Sequence, residues 1–109
     1  MPTTEYPRPD NAPEPGDLRQ PLFSLGRVLS TPGALAACFD ADVDPRSYLY
    51  RHVTGDWGDL GDEDKAANDA ALTTGARILS AYTLSTDERL WIITEADRAS
   101  TTMLLPLEY

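Results

Sequence analysis

Three β-forming runs near the end of the chain, Arg77 to Leu84, Arg89 to Glu95 and Ser100 to Leu105, are separated by only four residues each time. Connections that short join antiparallel neighbours and leave no room for a crossover helix. A three-stranded antiparallel meander is therefore expected, with turns at Ser85–Glu88 and Ala96–Ala99.

The preceding residues supply helices and one further strand. Leu22 to Leu29 (LFSLGRVL) is short, apolar and halted by breakers, which predicts a strand. Thr31-Pro32 is a helix start, with Thr as cap and Pro at the first position, leading into Ala34 to Phe39. Asp44-Pro45 repeats the device for a second helix to about His52. Asp62 to Thr74 reads as a third, acidic in its first turn as the helix dipole prefers and ended by Gly75. Ala66, Ala67, Ala70 and Ala71 give it a small-residue side expected to sit against a sheet. Cys38, among alanines, reads as a buried inert thiol. The fold class is thus α+β: an N-terminal strand, three short helices and the meander, in one small domain over residues 21–109 with a four-stranded sheet. Six of the nine prolines fall in residues 1–21, where no apolar periodicity exists, so residues 1–20 are expected to be a solvated Pro-rich tail or a docking peptide.

Charge narrows the partners. Eighteen acidic residues against nine basic ones leave a net charge of −9. That argues against direct nucleic-acid binding through phosphates and against an anionic membrane surface. Eight of the acids fall within residues 40–64, opposed there only by Arg46 and Arg51, so this stretch carries −6, whereas the meander from Arg77 to Leu105 is nearly balanced. One cysteine forbids an internal disulfide, no apolar run approaches a membrane span, and the first twenty residues lack the apolar core of a secretory signal. A cytoplasmic setting is expected. The chain has no phosphate loop, nucleophile elbow, dinucleotide fingerprint or paired zinc ligands, so no cofactor and no metal are expected. Asp40, Asp42 and Asp44 imitate a calcium loop, but Pro45 stands where the turn needs Gly and Arg51 where a closing Glu belongs.

The meander's register sets its faces. With two four-residue loops, Tyr82 is expected opposite Trp91, Ser80 opposite Ile93, Ile93 opposite Thr102 and Glu95 opposite Ser100. Leu79, Ala81, Thr83, Leu90, Ile92, Thr94, Thr101, Met103 and Leu105 then form a core face. The other face sets Tyr82 beside Trp91, able to stack on a planar ligand, with Ser80, Thr102 and Glu95 as polar contacts. A second packed layer over that face is the structural alternative. Gly55-Asp56-Trp57-Gly58-Asp59 reads either as a ligand loop with carboxylate acceptors or as an anchored turn, with Trp57 pinned to the core and Asp59 capping the next helix. At the Asp97-Arg98 turn, Arg98 can grip a phosphate or carboxylate, or can make local bonds.

Three function classes follow. The first is a non-enzymatic accessory binding protein for a nucleotide-like small molecule or a host protein, using Asp56, Trp57, Ser80, Tyr82, Trp91, Glu95, Asp97, Arg98 and Thr102. The second is an acidic DNA mimic that occupies a nuclease or restriction enzyme. The third is a small hydrolase using His52, Asp56, Glu95 and Asp97.

Several segments together carry a resemblance: Leu25-Gly26-Arg27-Val28, Thr31-Pro32-Gly33-Ala34-Leu35, Arg51-His52, Gly55–Asp59, Asn68, Gly75, Arg77, Leu79-Ser80-Ala81-Tyr82, Trp91–Arg98, and Thr101-Thr102 through Pro106 to Tyr109. The domain resembles a family of small bacterial and mobile-element proteins, departing from its pattern at Ala99-Ser100. The resemblance implies no activity. It implies a setting, that of a single-domain accessory protein connected with phage or plasmid defence or counter-defence.

Overall fold

The structure, a computed structural model, describes residues 19–109. The expected tail lies outside the described residues except for Arg19 and Gln20. Arg19 is already tied to the domain, its backbone N–H donating to the Tyr50 hydroxyl at 3.1 Å. Four strands, β1 (Arg27–Ser30), β2 (Ile78–Thr83), β3 (Arg89–Thr94) and β4 (Ser100–Leu104), form one sheet in the order β1-β4-β3-β2. The meander β2-β3-β4 is antiparallel, and β1 pairs in parallel with β4, so the sheet is mixed. Helices α1 (Pro32–Asp40), α2 (Pro45–Val53) and α3 (Asp62–Thr74) precede the meander, and a 3-10 turn at Pro106–Glu108 follows it. The fold is the α+β architecture expected. Among the described residues no helix is long and apolar enough to cross a membrane.

Local chemistry explains the helix starts. Thr31 accepts from the Ala34 N–H at 3.0 Å and Asp44 from the Arg46 N–H at 2.9 Å, and in each case proline occupies the first turn. Asp44, the last acid of the calcium-like stretch, is thus a cap, and it also ion-pairs with Arg46 at 2.7 Å. Helix α3 ends at Gly75 in the left-handed region, φ 81°, as a C-terminal glycine permits. Its start differs from expectation: Gly61 is the cap residue and makes no side-chain bond, while Asp59 is engaged elsewhere.

The expected strand at Leu22–Leu29 is real only from Arg27. Gly26, at φ 63°, turns the chain so tightly against the Arg98–Ala99 backbone that a Cβ there would overlap it. Helices α1 and α2 cover one face of the sheet. Ala34, Ala37, Cys38 and Ala41 lie against Tyr82, Leu90, Ile92 and Met103, with Tyr48 and Leu49 packed alongside. The small-residue contact therefore belongs to α1. On α3, Ala66, Ala67 and Ala70 are exposed, and only Ala71 is buried, with Trp57 and Ile78.

The register of the first hairpin is the main departure from the sequence reading. Tyr82 faces Leu90, Ser80 faces Ile92, and Ala81 faces Trp91. The cause is the turn. Leu84 N–H donates to the Glu88 carbonyl at 2.8 Å, Asp87 N–H returns to the Leu84 carbonyl at 2.9 Å, and Asp87 lies at φ 72°. This is a three-residue loop, a tight turn followed by a left-handed residue, whose twist suits the hairpin. One residue fewer in the loop turns every β2 side chain over relative to β3. Ile78, Ser80 and Tyr82 join Leu90, Ile92, Thr94, Thr101 and Met103 beneath the helices, while Leu79, Ala81 and Thr83 join Trp91 on the outer face. The second hairpin keeps the expected register, with Ile93 opposite Thr102 and Glu95 N–H donating to Ser100 O at 3.1 Å.

The Gly55–Asp59 loop closes the outer edge of β2. Asp59 N–H donates to Ala81 O at 2.6 Å, Ala81 N–H to Trp57 O at 3.2 Å, and Thr83 N–H to the Asp59 carboxylate at 2.9 Å. From α3, the Asn68 amide pairs with both the N–H and the C=O of Leu79, at 3.2 and 2.7 Å. A loop and a side-chain amide thus satisfy the polar row that an open edge would expose.

Candidate functional site

The outer face of the sheet meets α3 in a cleft of about 490 Å³, within the range of small-molecule sites. Its floor is Leu79, Ala81 and Trp91, one wall is Asp64, Ala67 and Asn68 of α3, and Arg77 and Arg89 border it. Strand alternation places Trp91 here: Ala81 is its cross-strand partner, and Leu104 lies opposite it on β4. Trp91 is half-buried and both arginines are exposed. Among the described residues neither arginine ion-pairs with a carboxylate, although Asp59 and Asp64 line the same cleft. Among the described residues the lining contains no histidine, cysteine or hydroxyl side chain, so it presents a flat indole and guanidinium donors rather than a nucleophile with a base.

The nine candidate residues do not converge. Trp91 and Thr102 are together on the outer face, with Glu95 exposed at the end of β3. Tyr82 and Ser80 are on the opposite, buried face, so the Tyr82–Trp91 stacking pair does not exist; the slipped register separates them by the thickness of the sheet. Burial raises the Tyr82 phenol above its usual range, and its O–H donates to Asp56 O at 2.7 Å. Trp57 is an anchor, its ring buried beside Phe23 and its N–H donating to Asp69 at 3.0 Å. Asp56 accepts from Arg51 at 2.7 Å and from the Gly58 N–H at 3.2 Å. Partial burial alone would raise its carboxyl, but Arg51 outweighs that and holds it below the usual carboxylate range.

Arg98 is a clip. Its guanidinium donates to the carbonyls of Ala76 at 2.7 Å, Ala71 at 3.0 Å and Glu95 at 3.1 Å, and lies 5.7 Å from the centre of the Phe23 ring. It ties the end of α3 to the β3–β4 turn, while Asp97 accepts from the Ala99 N–H at 2.9 Å. These donors are held by protein carbonyls, not turned toward a ligand.

His52 is fully buried, and both ring nitrogens contact hydroxyls: Nδ1 with Ser80 at 2.6 Å and Nε2 with Thr94 at 2.9 Å. Thr94 in turn contacts Thr101 at 2.7 Å, and Thr101 donates to the Leu25 carbonyl at 2.7 Å. The final carbonyl can only accept, which sets the direction as far as the ring: Thr101 donates to Leu25, Thr94 to Thr101, and His52 Nε2–H to Thr94. Burial pushes the His52 pKa down to about 4, so the ring is neutral at pH 7 and Nδ1 accepts from Ser80. Among the described residues no carboxylate and no backbone carbonyl hydrogen-bonds His52, so the hydrolase set of His52, Asp56, Glu95 and Asp97 is not assembled.

Sequence reasoning passed over Arg77, Arg89 and Tyr109. The signal for Arg89 was present: it stands two residues before Trp91 on β3 and so shares the Trp91 face whatever the loop length. Arg77 Nη1 donates to the Tyr109 hydroxyl at 2.6 Å, and the Tyr109 ring stands edge-on to Trp91 at 5.7 Å. No known protein family matches this chain, and neither a curated protein nor a solved structure shows significant similarity to it.

Proposed function

We propose that this is a non-enzymatic binding protein whose ligand is small, planar and anionic, of the nucleotide type. The ligand would lie on Trp91 in the outer-face cleft, with Arg77 and Arg89 against its negative group. The observation that carries the reading is a pair of arginines that, among the described residues, ion-pair with no carboxylate, beside a half-buried indole in a chain whose net charge is −9. Stacking supplies contact area and the guanidiniums supply charge-assisted hydrogen bonds, a combination that requires no catalytic group. An acidic decoy is less well supported, because Asp44, Asp56 and Asp59 are engaged by Arg46, Arg51 and the Thr83 N–H. A cytoplasmic accessory role in phage or plasmid defence or counter-defence, the setting implied by the sequence resemblance, belongs to the same proposal.

The test is titration of the protein with a panel of nucleoside mono- and diphosphates, read by calorimetry and by Trp fluorescence. A saturable complex is expected. Arg89→Ala should weaken it by about tenfold, the size of one lost charge-assisted hydrogen bond, and Trp91→Leu should weaken it at least as much. Absence of binding across the panel, or affinity indifferent to both substitutions, would refute the reading.

A further inference from the structure

Trp91, which lines the cleft, already carries a ring on its border. Tyr109 stands edge-on to Trp91 with ring centres 5.7 Å apart, and the Arg77 guanidinium lies 5.6 Å from the centre of the Tyr109 ring while Nη1 donates to its oxygen at 2.6 Å. Three contacts converge on one phenol, yet Tyr109 remains 67% exposed. Its tether is short and separately secured. Pro106–Glu108 forms the 3-10 turn, whose Glu108 carboxylate accepts from the Leu105 N–H at 2.7 Å and from the Thr31 hydroxyl at 2.6 Å. The Tyr109 backbone N–H closes the turn on Pro106 O at 3.1 Å, but the turn is fastened to the start of α1 without help from the Tyr109 side chain. The Tyr109 side chain can leave while the segment carrying it stays in place.

We infer that Trp91 and Arg77 form a subsite for an aromatic ring bearing an oxygen acceptor, with Tyr109 as its resident occupant, displaced when ligand binds. The inference rests on the proposed function and deepens it, since it specifies what the ligand presents to this end of the cleft: a ring for Trp91 and an oxygen anion for Arg77. Both groups that hold Tyr109 are cleft-lining residues, whereas Tyr109 itself is not part of the lining. It closes that end from outside. A phosphate or phenolate oxygen is a stronger acceptor for a guanidinium than a neutral phenol, which supplies the preference for ligand over Tyr109.

Phenyl phosphate is the probe, with wild type, Tyr109→Ala, Tyr109→Phe and the double variant Arg77→Ala/Tyr109→Ala compared by calorimetry. Tyr109→Ala should bind about tenfold more tightly than wild type, reflecting the freed ring contact and hydrogen bond. Tyr109→Phe keeps the ring and loses only the hydrogen bond, so it should gain about threefold. The gain should vanish in the double variant. Equal or weaker binding by folded Tyr109→Ala, or a gain that survives loss of Arg77, overturns the inference. If nucleotides fail to bind wild type but Tyr109→Ala takes phenyl phosphate through Arg77, the nucleotide reading falls and the subsite stands. If nucleotides bind through Trp91 and Arg89 while neither Tyr109 variant gains, only the displacement falls.

Discussion

Lowering the pH from neutral should destabilise this protein through one residue. His52 is neutral in the fold, with a pKa of about 4 against the ordinary 6.5 of an unfolded chain. Its folded pKa is depressed, so the contribution is fully present above 6.5 and is lost as pH falls through the interval between the two values. Below 6.5 the unfolded chain takes up a proton that the folded one refuses. Between pH 7 and pH 5 the loss amounts to about 2 kcal/mol, and it approaches about 3 kcal/mol below pH 4. The carboxylates whose pKa is lowered, Asp44 and Asp56 by their arginine partners and Glu108 by Thr31, stay ionised through this interval and contribute only at lower pH. The window from pH 7 to pH 5 therefore isolates His52. Urea unfolding followed by the fluorescence of buried Trp57 should show its midpoint falling by about 1–2 M across that window. His52→Gln should flatten the dependence, whatever it does to absolute stability. A midpoint unchanged between pH 7 and pH 5, or an imidazole that titrates near 6.5 by NMR in the folded protein, would refute the neutral, buried imidazole.

Other substitutions probe the same construction. Thr94→Val leaves the buried His52 Nε2–H without an acceptor and should cost about 1–3 kcal/mol by chemical denaturation, more than the same change at exposed Thr83. Asn68→Leu unpairs both the N–H and the C=O of Leu79 on the β2 edge; a loss of about 2–4 kcal/mol and faster aggregation on warming are expected, measurable by calorimetry and light scattering. At Gly58, φ 80° combines with a Cβ that would overlap the Ala81 carbonyl, so Gly58→Ala should destabilise by more than about 2 kcal/mol and deprotect the Ala81 amide in hydrogen exchange.

What could be read from the residues was local. Thr31-Pro32, Asp44-Pro45 and Gly75 mark helix ends through bonds and backbone angles that involve a few neighbours, so α1, α2 and α3 were legible almost to the residue. The three strands of the meander were legible for the same reason, because alternation and short connections require nothing beyond the segment itself. Trp57 as the anchor of its loop was visible from its two flanking glycines and aspartates. The site was not legible, since it depended on which face each strand shows, and that turned on a single residue of loop length at Ser85–Glu88.

The chain by itself determined an α+β domain with capped helices, an antiparallel meander and its acids gathered in residues 40–64, because propensity, capping and charge act over a few residues. Only the tertiary structure decided that Tyr82 lies beneath the helices while Trp91 looks outward, that His52 is kept neutral by burial and hydrogen-bonded to hydroxyls of β2 and β3, and that Arg98 grips carbonyls while Arg77 and Arg89 border a cleft. Each of these depends on groups distant in sequence meeting at hydrogen-bonding distance. A left-handed Asp87 is enough to shift the register, and with it the face on which every β2 side chain meets its partners.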